Sequence, residues 1–436
     1  MQGTMTEPKK EIGYWEATSI GIGGMVGGGI FAVLGLAVQL SGGGTPVAFA
    51  IAGVVALITG YSYAKLSVSC PGEGGTVSFL IRAFGIGMFT GSLNVLLWLS
   101  YLVMLSLYSY AFGSYGATFF PDAWQFAAKH VLISVSIIAI TGLNVLGSAA
   151  IGKVEDLIVG LKVGILLLFI ALGLNGIHTG YLAPDTWTAP LRLVAGGMII
   201  FIAYEGFELI ANTAGDVRDP ETTLPRAYYS AILFVIGLYV CIALITVGTL
   251  PVESILATRD YALAEAARPF MGQIGFVLIA VAALLSTASA INATLYGASR
   301  VSYIIAKDGE LPESLEKKIW NKPLEGLFLT AALTLVFANM LDLSSISVMG
   351  SGGFLIIFAA VNWANYRLAE TTGSNRGIAA LGAVVCLVAL GALLTEVAQT
   401  APRQMLVLGA MIGISVAIEY AYRTFHPEKR KPKMES

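Results

Sequence analysis

Long apolar runs fill most of the chain, and short polar segments separate them. A helix that spans a membrane needs about 20 predominantly apolar residues. None of the polar linkers is long enough to form a separate soluble domain. The pattern therefore predicts an all-α polytopic membrane protein with 12 transmembrane helices, at 14–40, 46–69, 86–118, 127–148, 154–176, 190–214, 224–249, 273–305, 324–341, 344–368, 375–396 and 402–423.

Composition points to lipid as the solvent for these helices. Apolar residues make up 56% of the chain and charged residues 12%, whereas soluble domains have about 45–50% and about 25%. The 25 basic and 27 acidic residues leave no positive excess for a nucleic-acid partner. Three cysteines and three histidines are scattered without metal-ligand spacing, and no HExxH or GxSxG motif occurs. We therefore expect no metal, no cofactor and no enzymatic activity.

The distribution of basic residues predicts the orientation in the membrane. Lysine and arginine are retained on the cytoplasmic side. With the N-terminus inside, 19 of the 25 basic residues fall on the cytoplasmic side and five on the other, and Lys162 lies within a predicted helix. The sequence thus predicts a multi-pass protein of the cell membrane, with a cytoplasmic segment at 1–13 and a basic cytoplasmic tail at 424–436.

Two predicted helices contain segments that disfavour continuous helix. The first includes GIGGMVGGGIF, from Gly21 to Phe31, where each interior glycine costs about 0.5–1 kcal/mol relative to alanine. The sixth has Gly206 between Glu205 and Glu208. A helix that breaks in mid-membrane exposes amides on one side and carbonyls on the other, which suit a carboxylate and an ammonium. Scattered glycines, such as Gly160 and Gly164, are instead typical of close helix packing.

The two predicted breaks lie five helices apart. That spacing is typical of a five-helix unit repeated with inverted topology, with the ligand site at the junction. We predict repeats at 14–176 and 190–368, followed by two additional transmembrane helices at 375–423.

Three separated motifs resemble the amino acid–polyamine–organocation superfamily, and this resemblance covers nearly the full chain. They are Gly27-Gly28-Gly29-Ile30-Phe31, the segment from Tyr204 to Ala227 with its Asp219-Pro220 pair, and the segment from Ser286 to Pro312. The chain is most similar to prokaryotic, proton-coupled amino acid transporters of broad specificity. The resemblance implies the LeuT-like fold and no enzyme chemistry.

The resemblance also implies a substrate site at the two breaks. The α-carboxylate of an amino acid would meet the amides of Gly27, Gly28 and Gly29. The α-ammonium would face carbonyls near Met25 and at 203–205. The implied substrate-binding residues are Met25, Gly27, Gly28, Gly29, Phe201, Ala203, Tyr204, Glu205 and Gly206.

Lys162 is the first candidate for carrying a proton. A charged lysine at the centre of a membrane helix costs at least about 2.5–3.5 kcal/mol, and desolvation favours its neutral form. In the implied fold its ammonium takes the place of a sodium ion, near carbonyls of Gly23 or Gly24 and hydroxyls of the fifth-to-eighth helix interface. Those hydroxyls belong to Ser286, Thr287 and Ser289. A permanently charged, purely structural lysine is the alternative.

Glu205 and Glu208 are the other candidates for proton handling. Carboxyl groups beside the break avoid lipid and face the interior. Glu208 either titrates or caps the amides of the second half-helix. Glu205 departs from the family pattern, and it serves either substrate selectivity or proton transfer.

The function predicted from the sequence is secondary active transport of amino acids, with proton-coupled symport by alternating access. The alternatives are a polyamine or organic-cation transporter, an amino acid exchanger and, with less support, a channel. The predicted partners are the amino acid, a proton and membrane lipid. We expect either a monomer or a homodimer.

Overall fold

The computed structural model describes residues 11–72, 74–146, 151–307 and 324–425, with backbone only for 151–156. Most of the predicted segment 1–13, most of the predicted tail 424–436, and Asp308 to Pro312 of the third motif lie outside the described residues.

Helices account for nearly all of the described chain, which contains two isolated bridges and no longer strand. The α-helices are α1 Tyr14–Met25, α2 Gly29–Ser41, α3 Thr45–Ser69, α4 Gly75–Phe84, α5 Met88–Ala117, α6 Asp122–Leu146, α7 Ile151–Gly173, α8 Pro190–Ile199, α9 Pro220–Thr249, α10 Val252–Ala257, α11 Ala262–Lys307, α12 Leu324–Met340, α13 Leu343–Arg367, α14 Ala369–Thr372, α15 Arg376–Thr400 and α16 Pro402–Phe425. The 3₁₀ segments are Leu174–Gly176, Thr179–Leu182, Pro184–Thr186, Phe201–Tyr204, Phe207–Asp216 and Arg259–Tyr261.

The predicted all-α membrane architecture is confirmed. Among the described residues, nine helices are long and apolar enough to cross a membrane, and up to eleven spans result if each of two bent pairs is one span. Helix α12 is apolar but has 17 residues. The number of 12 spans therefore stays a prediction.

Helices α5 and α13 form the centre of the molecule, and other helices surround them. In α5, 94% of the most apolar 18-residue window is buried, and in α13 the share is 89%. In α6 and α16 the share is 28%. The apolar side chains of these outer helices face outward, as helices in contact with lipid require.

The packing predicted for Gly160 and Gly164 is wrong. Both glycines lie on α7, and no described atom lies within 4 Å of where a Cβ would stand on either residue. They face outward. Small residues favour close helix approach only where a second helix lies opposite.

The first broken helix consists of α1 and α2, which meet at an angle of 46°. Only Val26 to Gly28 leave the helical pattern, so Gly21, Gly23 and Gly24 remain in α1. Glycine lowers helix stability, but tertiary contacts keep those three positions helical. The break is narrower than the glycine run.

The second broken helix consists of α8 and the 3₁₀ segments that follow it, with a bend of 48°. The expected second α-helical half is absent from the described chain, because Phe207–Asp216 forms a ten-residue 3₁₀ helix. Gly206 separates the two 3₁₀ segments at φ +121°, a conformation that strongly favours glycine.

The two breaks cross in direct backbone contact. A Cβ on Gly24 would lie 2.6 Å from the carbonyl oxygen of Gly206, and a Cβ on Gly206 would overlap the backbone of Gly24. A glycine on each side is therefore needed for the crossing.

Backbone pairing also joins the outer ends of the two broken helices. An isolated bridge pairs Ile12, two residues before α1, with Val217, directly after Asp216. A second bridge pairs Gly42, directly after α2, with Trp187, three residues before α8.

The first bridge joins the start of the first broken helix to the end of the second. The second bridge joins the end of the first broken helix to the start of the second. An inverted repeat produces this relation, so the pairing agrees with the predicted repeats at 14–176 and 190–368. The domain boundaries stay predictions.

The segment 250–272, which lies between the predicted helices 224–249 and 273–305, is largely helical. It contains α10, the 3₁₀ segment Arg259–Tyr261 and the beginning of α11, which turns sharply at Gly272 with φ +62°. Its short helices pack over α2.

Candidate functional site

Buried amides mark the beginning of α2. Residues 27–31 are buried, and the described chain offers their N–H groups no backbone or side-chain acceptor. Helical hydrogen bonding resumes at Ala32, whose N–H donates to the Gly28 carbonyl at 2.9 Å. Unpaired amides at a helix N-terminus bind anions such as carboxylates. This region includes the predicted carboxylate-binding residues Gly27, Gly28 and Gly29.

The carbonyls at the first break already accept hydrogen bonds from other helices. The Tyr239 hydroxyl on α9 lies 2.7 Å from the Met25 carbonyl oxygen and 3.2 Å from that of Ala203. The Ser286 hydroxyl on α11 donates to the Val26 carbonyl at 2.9 Å and also contacts that of Gly27. An ammonium that reached Met25 and Ala203 would share these carbonyls with Tyr239, a residue that the sequence analysis did not identify.

We expect Tyr239→Phe to weaken substrate binding while the protein stays folded. The substitution removes a hydroxyl that connects both breaks, and a neutral hydrogen bond contributes about 0.5–1.5 kcal/mol. The expected result is a KM for uptake raised about twofold to tenfold. Tyr229→Phe, on the same helix but only partly buried, is the matched control. An unchanged KM in Tyr239→Phe would contradict the bridging role.

Hydroxyls of α13 cap the end of α8 at the second break. Ser347 and Ser351 donate to the Ile199 carbonyl at 2.6 and 2.8 Å. The N–H of Ile202 donates to the Ser351 oxygen at 3.0 Å. A central, well-buried helix thus satisfies the backbone groups that the break exposes.

Lys162 contacts the first broken helix. Its Nζ donates to the Gly23 carbonyl at 3.1 Å, and the side chain is 1% exposed. Helix α7, which carries Lys162, packs against α1 and α11. This contact joins two of the residues that the sequence placed together, since Gly23 was predicted near the lysine.

The three predicted hydroxyl residues have different environments. Ser286 binds the first break, whereas the Thr287 hydroxyl donates to the Ala283 carbonyl of its own helix at 2.7 Å. Ser289 lines a small cavity between the breaks.

This cavity is lined by both candidate glutamates, Glu205 and Glu208, and by small residues of both breaks and of α11. Its volume is about 10 Å³, which is room for about one water molecule. This volume is much smaller than that of an amino acid. The lining residues are Gly23, Gly24, Tyr101, Tyr108, Glu205, Gly206, Glu208, Leu209, Ser289, Ala290, Ala293 and Thr294.

The two carboxyl groups of the cavity have different partners. Oε2 of Glu208 accepts the Gly206 N–H at 2.7 Å, and the Tyr101 hydroxyl lies 3.4 Å from Oε1. Glu205 is 3% exposed, and its Oε1 has no hydrogen-bond partner among the described residues. Glu208 thus contacts the backbone at the break, and Oε1 of Glu205 is the carboxyl oxygen without a described partner.

The predicted aromatic contacts of the substrate lie outside the cavity in this conformation. The Tyr204 hydroxyl donates to the Phe49 carbonyl at 2.9 Å on α3. Phe201 packs edge-to-face on Phe358, with ring centroids 5.9 Å apart. Tyr108, which the sequence analysis missed, lines the cavity and lies against Gly28.

Comparison with known proteins agrees with this architecture. The family model for amino acid permeases matches residues 12–417. An uncharacterized protein of Methanocaldococcus jannaschii is 36% identical over 87% of each chain. The inner membrane transport protein YbaT of Escherichia coli is 36% identical over 87% of this chain and 89% of its own. The branched-chain amino acid permease BcaP of Bacillus subtilis is 26% identical over 71% of this chain and 70% of its own.

The match to the family model includes both broken helices, and the identity to these relatives extends over most of the chain. The chain belongs to the amino acid permease family of the amino acid–polyamine–organocation superfamily.

Proposed function

We propose that this protein is a secondary active transporter that moves an amino acid together with a proton, by alternating access. The observation that carries the proton coupling is the contact between Lys162 and the Gly23 carbonyl. A buried ammonium at the break of a membrane helix is costly, and its release of a proton would alter the contact that joins α7 to α1.

The backbone at the two breaks supports an amino acid as cargo. Unpaired amides at 27–31 suit an α-carboxylate, and the carbonyls of Met25 and Ala203 suit an α-ammonium. The similarity to BcaP, a branched-chain amino acid permease, supports the same cargo class.

Closure at both ends supports alternating access. The Ile12–Val217 pair joins the broken helices at one end and the Gly42–Trp187 pair joins them at the other. Between them the cavity is too small for substrate. Opening one pair while the other stays closed would expose the site to one side of the membrane. The loop charges support a cytoplasmic location for the Ile12 end, in a protein of the cell membrane.

The test is uptake of radiolabelled amino acids into proteoliposomes that contain the full chain, with sodium omitted. We expect saturable uptake when the outside is more acidic than the inside, and its loss when a protonophore collapses the gradient. Protein-free liposomes are the control.

Four outcomes would contradict the proposal. Uptake that requires sodium, or that ignores the proton gradient, would exclude proton symport. Equal competition by amines without a carboxylate would favour the organic-cation alternative, and non-saturable flux would favour a channel.

A further inference from the structure

Within the proposed transport function, on which this inference rests, we propose that Glu205 selects substrates with a cationic side chain. The ammonium or guanidinium of a basic amino acid binds the Glu205 carboxylate, and a proton occupies the same carboxyl when that group is absent. Glu205 is thus a specificity-determining residue at which a proton and the cationic group of the cargo compete.

The first argument is the unused hydrogen-bonding capacity of Glu205. The side chain is 97% buried, because its exposed fraction is 3%, and it lines the cavity with Oε1 lacking a described partner. Buried polar atoms in native proteins almost always have a partner, so an unpaired one in a cavity indicates a missing ligand. A carboxylate oxygen accepts hydrogen bonds only, and the complementary ligand is a donor, best a cationic one.

The second argument is the balance of charge around the cavity. Glu205 and Glu208 interact directly, and no lysine or arginine is among the lining residues. Two neighbouring carboxylates repel strongly in a buried site. A proton or a cationic ligand relieves this repulsion, and only one of them fits at Oε1 at a time.

The groups that face Glu205 come from several helices and offer no competing cation in the cavity. Glu208 follows in the same chain segment, hydroxyls of three tyrosines interact with the Glu205 charge, and neutral hydroxyls of α11 complete the lining. Lys162 is not among the lining residues, and its ammonium donates to the Gly23 carbonyl. These groups are Glu208, Tyr63 of α3, Tyr101 and Tyr108 of α5, and Ser289 and Thr294 of α11.

The third argument is the division of roles between the two carboxyls. Glu208 accepts the Gly206 amide at 2.7 Å and is near the Tyr101 hydroxyl, so it maintains the turn. Glu205 makes no such structural contact through Oε1. The first break is suited to the α-carboxylate and α-ammonium, and the substrate side chain would then face the second break, where Glu205 and the small residues Ala290 and Ala293 line the cavity.

The experiment measures binding of radiolabelled L-lysine and L-leucine to the purified full-length protein between pH 5.5 and 8.5, for wild type and Glu205→Gln. Loss of one charged hydrogen bond corresponds to about 1.5–3 kcal/mol. We expect the Kd for L-lysine to rise at least about tenfold in Glu205→Gln, while the Kd for L-leucine changes by less than about threefold. In wild type, L-lysine binding should weaken toward acidic pH, and this dependence should disappear in the variant.

Glu396→Gln is the matched control, because Glu396 is a buried glutamate of α15 whose carboxylate faces Arg192 rather than the cavity. It should leave the ratio of the two Kd values unchanged. Equal loss of L-lysine and L-leucine binding in Glu205→Gln would overturn the selectivity role, as would wild-type protein that binds L-leucine but not L-lysine. Failure of wild type to bind any amino acid would instead overturn the proposed function itself.

Discussion

Lys162→Ala is expected to abolish proton-driven accumulation of substrate, to less than about a tenth of the wild-type level. The lysine is the only described cationic side chain that is almost fully buried, and its ammonium donates to the Gly23 carbonyl at 3.1 Å. Alanine removes both the proposed proton carrier and the donor that joins α7 to α1. The ratio of uptake with an imposed pH gradient to uptake without one measures proton coupling. Exchange of substrate at equal pH on both sides measures substrate movement that does not depend on a proton gradient.

A second variant separates coupling from a structural role of Lys162. Arginine keeps a positive charge and five donors, but it does not release its proton in proteins. If the lysine must titrate, Lys162→Arg retains equilibrium exchange and loses gradient-driven accumulation. If a fixed positive charge is enough, Lys162→Arg accumulates substrate normally and the proposed mechanism is wrong. Lys65→Ala, a partly exposed lysine at the end of α3, is the control and should behave as wild type.

Gly206→Ala is expected to reduce uptake about a hundredfold or more. At φ +121° a non-glycine residue is strained by at least about 1–2 kcal/mol. In addition, the new Cβ would overlap the Gly24 backbone, which cannot move aside as a flexible side chain would. The two breaks would be forced apart at their crossing.

Initial uptake rates per amount of monodisperse protein measure this effect, and thermal unfolding shows whether the fold survives. Gly237→Ala on α9 is the control, because no described atom lies within 4 Å of its Cβ position. The control is expected to retain wild-type uptake. Full activity in Gly206→Ala would show that the crossing observed here is not required for transport.

The membrane architecture could be predicted because it follows from local properties of the chain. The apolar run at 46–69 corresponds to α3 at Thr45–Ser69, and that at 402–423 to α16 at Pro402–Phe425. Lipid requires every backbone group to be satisfied within the helix, so an apolar run of sufficient length has few other conformations. Helix α4, with ten residues, was not predicted because it is too short to give a spanning signal.

The details of the site depended on contacts that no local pattern encodes. Glycine content indicated both breaks, yet the pairing of Gly24 with Gly206 arises only when the broken helices cross. Tyr239 lies within an ordinary apolar run, and nothing in that run marks its hydroxyl as the donor to two carbonyls. The sequence grouped Lys162 with Gly23 through the implied fold, and their contact is part of this structure.

The bridges at Ile12–Val217 and Gly42–Trp187 have a consequence for mutational scanning. At the first, the Ile12 N–H donates to the Asp216 carbonyl, and the Arg218 N–H donates to the Ile12 carbonyl. Main-chain groups form these contacts, so alanine substitution leaves the donors and acceptors in place. Alanine scanning would therefore show little effect on transport at these bridge residues, even if their pairing matters. A substitution that alters the backbone itself, such as Ile12→Pro, which removes the N–H donor, would reveal the contribution of the pairing.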